Sequence, residues 1–180
     1  MVDLAEIQTV YYMVAATGVL VAAVFYIANL RETTRNRKAT FANNAWHTML
    51  TPEWQKLYME VSSMRWRDFD DFKRKYDSSV DVESYAKRMS IWTNFDSLGW
   101  QLRQGSIDID SFPDVWALGI VRTWQKCKPI IEGYRGWQWP KSAFRDFEYL
   151  AGVLEKKLMD EDPDFMKKMN NVISPPEAHQ

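Results

Sequence analysis

The chain has 180 residues, nearly equal numbers of basic and acidic side chains (23 and 24), one cysteine, and an aromatic set of nine Trp, nine Phe and eight Tyr. That length and aromatic content exclude a disordered or low-complexity chain and suit one ordinary folded domain. A single Cys127 excludes an internal disulfide, and with basic and acidic side chains nearly balanced no broad nucleic-acid footprint is evident.

The charge is unevenly distributed along the chain. Every Lys and Arg lies at Arg31 or later, and Asp3 and Glu6 are the only charges before it. Residues 1–6 therefore read as a short segment outside the cytoplasm, and residues 7–30 as a transmembrane helix. The uncharged run Ile7 to Leu30 would span ~36 Å as a helix, against ~30 Å for a hydrocarbon core, so it crosses with some tilt. A cleavable signal would carry its basic residues first and a shorter apolar stretch, the reverse of this order. A buried soluble helix of this length would show a polar face, yet only Gln8, Thr9, Thr17 and Asn29 are clearly polar here.

Arg31, Arg35, Arg37 and Lys38 crowd the end of the span, which sets the expected topology: N terminus outside, bulk of the chain in the cytoplasm. The expected location is the cell membrane, single-pass, with the lipid bilayer as first partner. Ala15, Gly18 and Ala22 share one helical face and form a candidate packing face for a second span, in another protein or a second copy of this chain.

Residues 31–50 read as a basic juxtamembrane helix continuing from the span, because Phe41, Ala42, Ala45, Trp46, Met49 and Leu50 keep helical spacing. Residues 51–160 read as a helical cytoplasmic domain. Thr51-Pro52-Glu53 is a helix start, with a capping hydroxyl, a proline at the first position and an acid in the first turn, and the helix runs to about Ser63. Trp66 to Asp77 mixes charge signs and reads as a short helix plus a loop. Tyr85, Met89, Trp92, Phe95, Gly99 and Leu102 trace a longer helix that stops near Gly105. After the turn GSIDID, a stripe from Phe112 to Ile131 marks another, with Pro129 expected to kink or weaken it. The GWQWPK loop precedes a last helix built on Phe144, Phe147, Ala151, Leu154 and Leu158. Residues 161–180, ending in SPPEAHQ, read as a flexible tail. The expected fold class is all-α: one transmembrane helix continuing into a small helical bundle.

For chemistry the pattern offers little. A carboxylate-bridged metal site needs Glu-x-x-His pairs facing into a bundle, and the two histidines, His47 and His179, complete none, so no metal ligands are expected. Cys127 sits inside a predicted helix with no imidazole near it in sequence, as an inert buried thiol does. No phosphate-cradling glycine motif occurs, so no catalytic residue and no cofactor is expected. What stands out is polar residues on aromatic helix faces: Asp96, Arg122, Glu132, Arg135 and Glu148. A buried charge is costly unless paired, so an inter-helix ion-pair network is expected, with Arg135 joined to Asp96 or Glu148. A small polar pocket near Asp96 and Arg135, lined by Trp92 and Trp124, is the functional alternative. Trp137 and Trp139 in GWQWP are candidate partner contacts, since exposed tryptophans are enriched in binding hot spots; packing beneath the loop is the other reading.

The segments FDSLG (Phe95 to Gly99), GSIDID (Gly105 to Asp110), WQKCKPIIEGYR (Trp124 to Arg135) and FEYL (Phe147 to Leu150), after a basic membrane exit, resemble a family of uncharacterised prokaryotic proteins. The resemblance implies one N-terminal transmembrane helix, an all-helical cytoplasmic domain of unknown function, and no catalytic residues to carry over. Three functional readings follow: a localisation or protein-interaction module binding a membrane or cytoplasmic protein, an accessory subunit of a larger membrane complex, or a tethered sensor or enzyme using the Asp96 and Arg135 pocket.

Overall fold

The structure, a computed structural model, describes residues 3–165. The remainder of the expected tail, with His179, lies outside them, as do the first two residues. Among the described residues six α-helices follow one another: α1 (Leu4–Met49), α2 (Pro52–Ser63), α3 (Phe69–Tyr76), α4 (Val82–Arg103), α5 (Asp114–Trp137) and α6 (Arg145–Glu161), with one 3-10 turn at Ile109–Ser111. No strand occurs among the described residues, so the all-α expectation holds.

The chain divides into two compact units, Met1–Thr40 and Phe41–Gln180. In the first, the described residues are helical from Leu4 onward, and the apolar window of α1 has a mean hydropathy of 2.0 with none of it buried. By length and composition α1 can cross a membrane.

The second unit begins with the last turns of α1, which carry Ala42 and Met49 into the core and seat the Trp46 ring 5.0 Å from Phe112. Local chemistry explains where the following helices start. Thr51 Oγ1 accepts from the Trp54 N–H at 3.2 Å with Pro52 in the first turn, Asp68 accepts from the Asp71 N–H at 2.8 Å, and Asp81 from the Ser84 N–H at 2.9 Å. α4 ends where expected. Gly105 adopts φ +70, the left-handed conformation glycine tolerates best, and lets the Gly105 and Ser106 N–H groups return to the carbonyls of Leu102 and Gln101 at 3.0 and 2.9 Å.

α4, α5 and α6 form the heart of the bundle, with α6 packed along both α4 and α5 while α2 covers α4 and α3 touches α4 and α5. The seam is aromatic: Phe95 meets Phe147 at 5.3 Å and Trp124 meets Phe147 at 5.1 Å. Such ring pairs contribute about 0.5–1.5 kcal/mol each beyond the area they bury. Pro129 does not break α5, which runs unbroken to Trp137. Pro129 and Lys128 lie on the exposed side, where the ring has room and water can serve the carbonyl that loses its donor. At the C-terminal end Phe165 packs against the core, so the described part of the expected flexible tail is partly held in place.

Candidate functional site

The polar residues that the sequence singles out are held by α4, α5 and α6; Asp96, Arg135 and Glu148 meet at the first of two polar centres, and none of the five lies at the second. The first surrounds the N terminus of α6. That helix has no local cap: the residue before it, Phe144, sits at φ 57 and gives no side-chain hydrogen bond. Asp96 of α4 supplies the acceptor instead, its Oδ1 taking the N–H groups of Asp146 and Phe147 at 3.1 and 2.9 Å. A carboxylate here also meets the positive end of the helix dipole. Contact this close requires Gly99 one turn along α4, where a Cβ would stand 1.9 Å from the Asp146 carbonyl oxygen.

Arg135 holds the strand of chain leading into α6. Its Nε and Nη2 donate to the Ala143 carbonyl at 2.9 and 2.7 Å, and Nη2 lies 2.9 Å from Glu148 Oε2. Arg103 approaches the buried Asp146 carboxylate at 2.8 Å. The left-handed Phe144 is wedged between the rings of Trp92 and Trp139, at 5.8 and 5.4 Å. A bulky residue in that conformation costs about 1–3 kcal/mol and persists only where its surroundings over-determine it. Of the two partners considered for Arg135, Glu148 makes the ion pair, and Asp96 binds main-chain donors. Asp96 Oδ1 and the Nε and Nη2 of Arg135 are thus engaged in seating α6.

The other two network candidates lie elsewhere. Glu132 is exposed and has Lys128 of its own helix 3.9 Å away. Arg122 is half-buried, with an enclosed Nε that has no hydrogen-bond partner among the described residues. Trp137 and Trp139 differ in kind. Trp137 is 57% exposed with the Lys73 ammonium 4.8 Å from its ring, whereas Trp139 stacks on Tyr134 at 4.4 Å beneath the loop. Within α1, Arg31, Arg35 and Arg37 are exposed and Lys38 half-exposed. Arg31, Arg35 and Lys38 share one face by spacing. Ala15, Gly18 and Ala22 are all uncovered.

The second centre is built on a residue that the sequence reading passed over. Arg88 of α4 is 0% exposed, and its guanidinium carbon lies 4.6 Å from the ring of Tyr85, 4.8 Å from Phe72, 5.6 Å from Trp92 and 5.9 Å from Tyr134. One nitrogen, Nη1, donates to the Tyr76 carbonyl at 2.7 Å. Beside this box Tyr134 donates its hydroxyl to Asp77 Oδ2 at 2.7 Å, while the Ser79 N–H and Oγ–H both donate to Asp77 Oδ1, at 3.1 and 3.0 Å. Burial pulls the Arg88 pKa down, opposed by Tyr134, Tyr85 and Asp77. Burial and the Asp77 carboxylate push Tyr134 up to about 12, and the Ser79 and Tyr134 donors hold Asp77 below the usual carboxylate range. The signal was present in the sequence: Arg88 stands three residues after Tyr85 and four before Trp92, inside the apolar stripe.

Lys126 was also passed over. Its ammonium donates to the carbonyls of Ser62 and Met64 at 2.5 and 2.8 Å and lies 4.8 Å from the Trp66 ring, tying α5 to the end of α2; burial and the charge of Arg65 push it down to about 8. Among the described residues no group of three His, Cys, Asp or Glu side chains could hold a metal ion.

A family model described as Domain of unknown function (DUF4760) matches residues 13–153 of the chain. No curated protein and no solved structure matches it.

Proposed function

The chain belongs to the DUF4760 family of domains of unknown function, and from that premise we propose that it is a membrane-anchored helical module which binds a protein partner at the cytoplasmic face of the cell membrane. The observation that carries the reading is the apolar window of α1, with a mean hydropathy of 2.0 and no part of it buried within the structure. In water such a surface is unfavourable by about 25 cal/mol per Å2, so it calls for a lipid or protein cover. Arg31, Arg35, Arg37 and Lys38 directly after it support an orientation with the bundle in the cytoplasm.

Tethering raises the effective concentration of the bundle near other membrane proteins and strengthens a weak contact without new chemistry. Trp137 is the side chain best suited to such a contact, being a large exposed aromatic backed by Phe69, Tyr134 and Lys73.

Alkaline carbonate extraction of membranes from producing cells tests the anchor. The full chain should stay in the pellet and a variant lacking Met1 to Leu30 should be released. Release of the full chain would overturn the reading. Protease added to sealed inverted vesicles should digest the bundle, and protection would reverse the orientation.

A further inference from the structure

Arg88 brings a positive charge into the core and leaves part of its hydrogen-bonding capacity unused. Nη1 is taken by the Tyr76 carbonyl, but the buried Nε and Nη2 have no hydrogen-bond partner among the described residues. Those two nitrogens form one edge of the guanidinium, a fork of parallel donors whose spacing matches the two oxygens of a carboxylate or phosphate. Arg135 shows the same edge in use, with its Nε and Nη2 converging on the Ala143 carbonyl. Within the chain the Tyr134 hydroxyl and the Asp77 carboxylate both favour the charged Arg88, and Asp77 is already committed to Tyr134 and Ser79.

A buried guanidinium with an open fork is among the more costly features a core can hold, because desolvation is offset only in part by the surrounding rings, one carbonyl and the charges of Tyr134 and Asp77. We propose that the Arg88 fork is a binding site for a small oxyanion, a carboxylate or phosphate group, which enters beside Tyr85. Three of the surrounding rings are closed to solvent: Phe72 is 0%, Tyr134 1% and Trp92 2% exposed. Tyr85 is half-buried and is the one ring of the four that reaches solvent, so the proposed route runs past it. The aromatic walls favour a ligand with a flat apolar body behind its anionic group, as in an aromatic carboxylate. The site is independent of the anchoring proposal, since none of its residues lies in α1.

The test uses the full chain in detergent micelles, labelled with 15N-arginine, and the probes sodium acetate, sodium benzoate and inorganic phosphate against chloride at matched ionic strength. A saturable displacement of the Arg88 Nε–H resonance, assigned through its proximity to the Tyr85 and Phe72 rings, with a parallel rise in unfolding midpoint, is expected for at least one oxyanion and not for chloride. Response to acetate and benzoate identifies a carboxylate ligand; response to phosphate alone identifies a phosphate. Arg88→Lys, which keeps the charge and removes the fork, should weaken binding about tenfold or more. No saturable displacement with any probe overturns the proposal, as does undiminished binding by Arg88→Lys. If that variant fails to fold, Tyr85→Ala decides: faster association with the Nε displacement retained supports the site, and an unchanged association rate overturns the route past Tyr85.

Discussion

Asp96, midway along α4, accepts a 2.9 Å hydrogen bond from the backbone N–H of Phe147, in the first turn of α6. With the Asp146 N–H also bound, one carboxylate does across fifty residues what a capping side chain ordinarily does within three. Asp96→Ala should lower stability by about 1–2 kcal/mol, and Asp96→Asn, which keeps an acceptor, by less. Urea unfolding followed by circular dichroism measures both. Equal losses would mean that the acceptor contributes nothing and the charge everything.

Gly99 lies one turn further along the same helix and faces a main-chain atom that cannot step aside. A methyl group there would stand 1.9 Å from the Asp146 carbonyl oxygen, so Gly99→Ala should cost about 3 kcal/mol or prevent folding. Gly152 of α6 is the control, because a Cβ there meets nothing within 4 Å. Gly152→Ala should stabilise by about 0.5–1 kcal/mol through its higher helix propensity. A neutral Gly99→Ala would show that α4 and α6 are not in such close contact.

Acid should weaken the α3 region first. Asp71 is held well below the usual carboxylate range by Lys75, the Arg67 N–H and Arg74, and Asp77 and Asp81 are lowered by the donors of Ser79 and Ser84. Each folded-state pKa lies below the unfolded value of about 3.9, so between the two the unfolded chain binds more protons and stability rises with pH. The contribution is complete above about pH 5 and is lost as pH falls through the folded values. The urea midpoint should therefore drop steadily below about pH 4. Asp71→Asn should flatten that slope, and an unaltered slope would remove Asp71 from the account.

Cys127 should be inert in the folded chain. It is 2% exposed, and burial pushes its thiol pKa upward, which suppresses the reactive thiolate. Mass spectrometry after iodoacetamide treatment should find it unmodified in native conditions and modified in urea. Rapid native alkylation would mean that α5 opens locally.

Much of the architecture was legible in the residues. The uncharged run before Arg31 marked α1, Thr51 with Pro52 a helix start and Gly105 a helix stop; Asp68 and Asp81 cap α3 and α4 by the same local chemistry. These signals are local, acting within about one helical turn, so a linear reading recovers them. The Arg135 and Glu148 pair also followed from polar residues on apolar faces, though with Asp96 left as an equal alternative.

The start of α6, the role of Asp96 and the box around Arg88 were decided only by tertiary structure. The apolar repeat announces α6, but Phe144 carries no capping group, so nothing local fixes where the helix begins, and the acceptor arrives from α4. Arg88 stands inside the apolar stripe of α4, but the box around it exists only once α3 and α5 bring Phe72 and Tyr134 against it. The physical reason is range. Helix propensity, capping and hydropathy act between near neighbours in sequence, whereas burial of a charge, close approach of two backbones and the filling of a guanidinium fork depend on which distant surfaces meet.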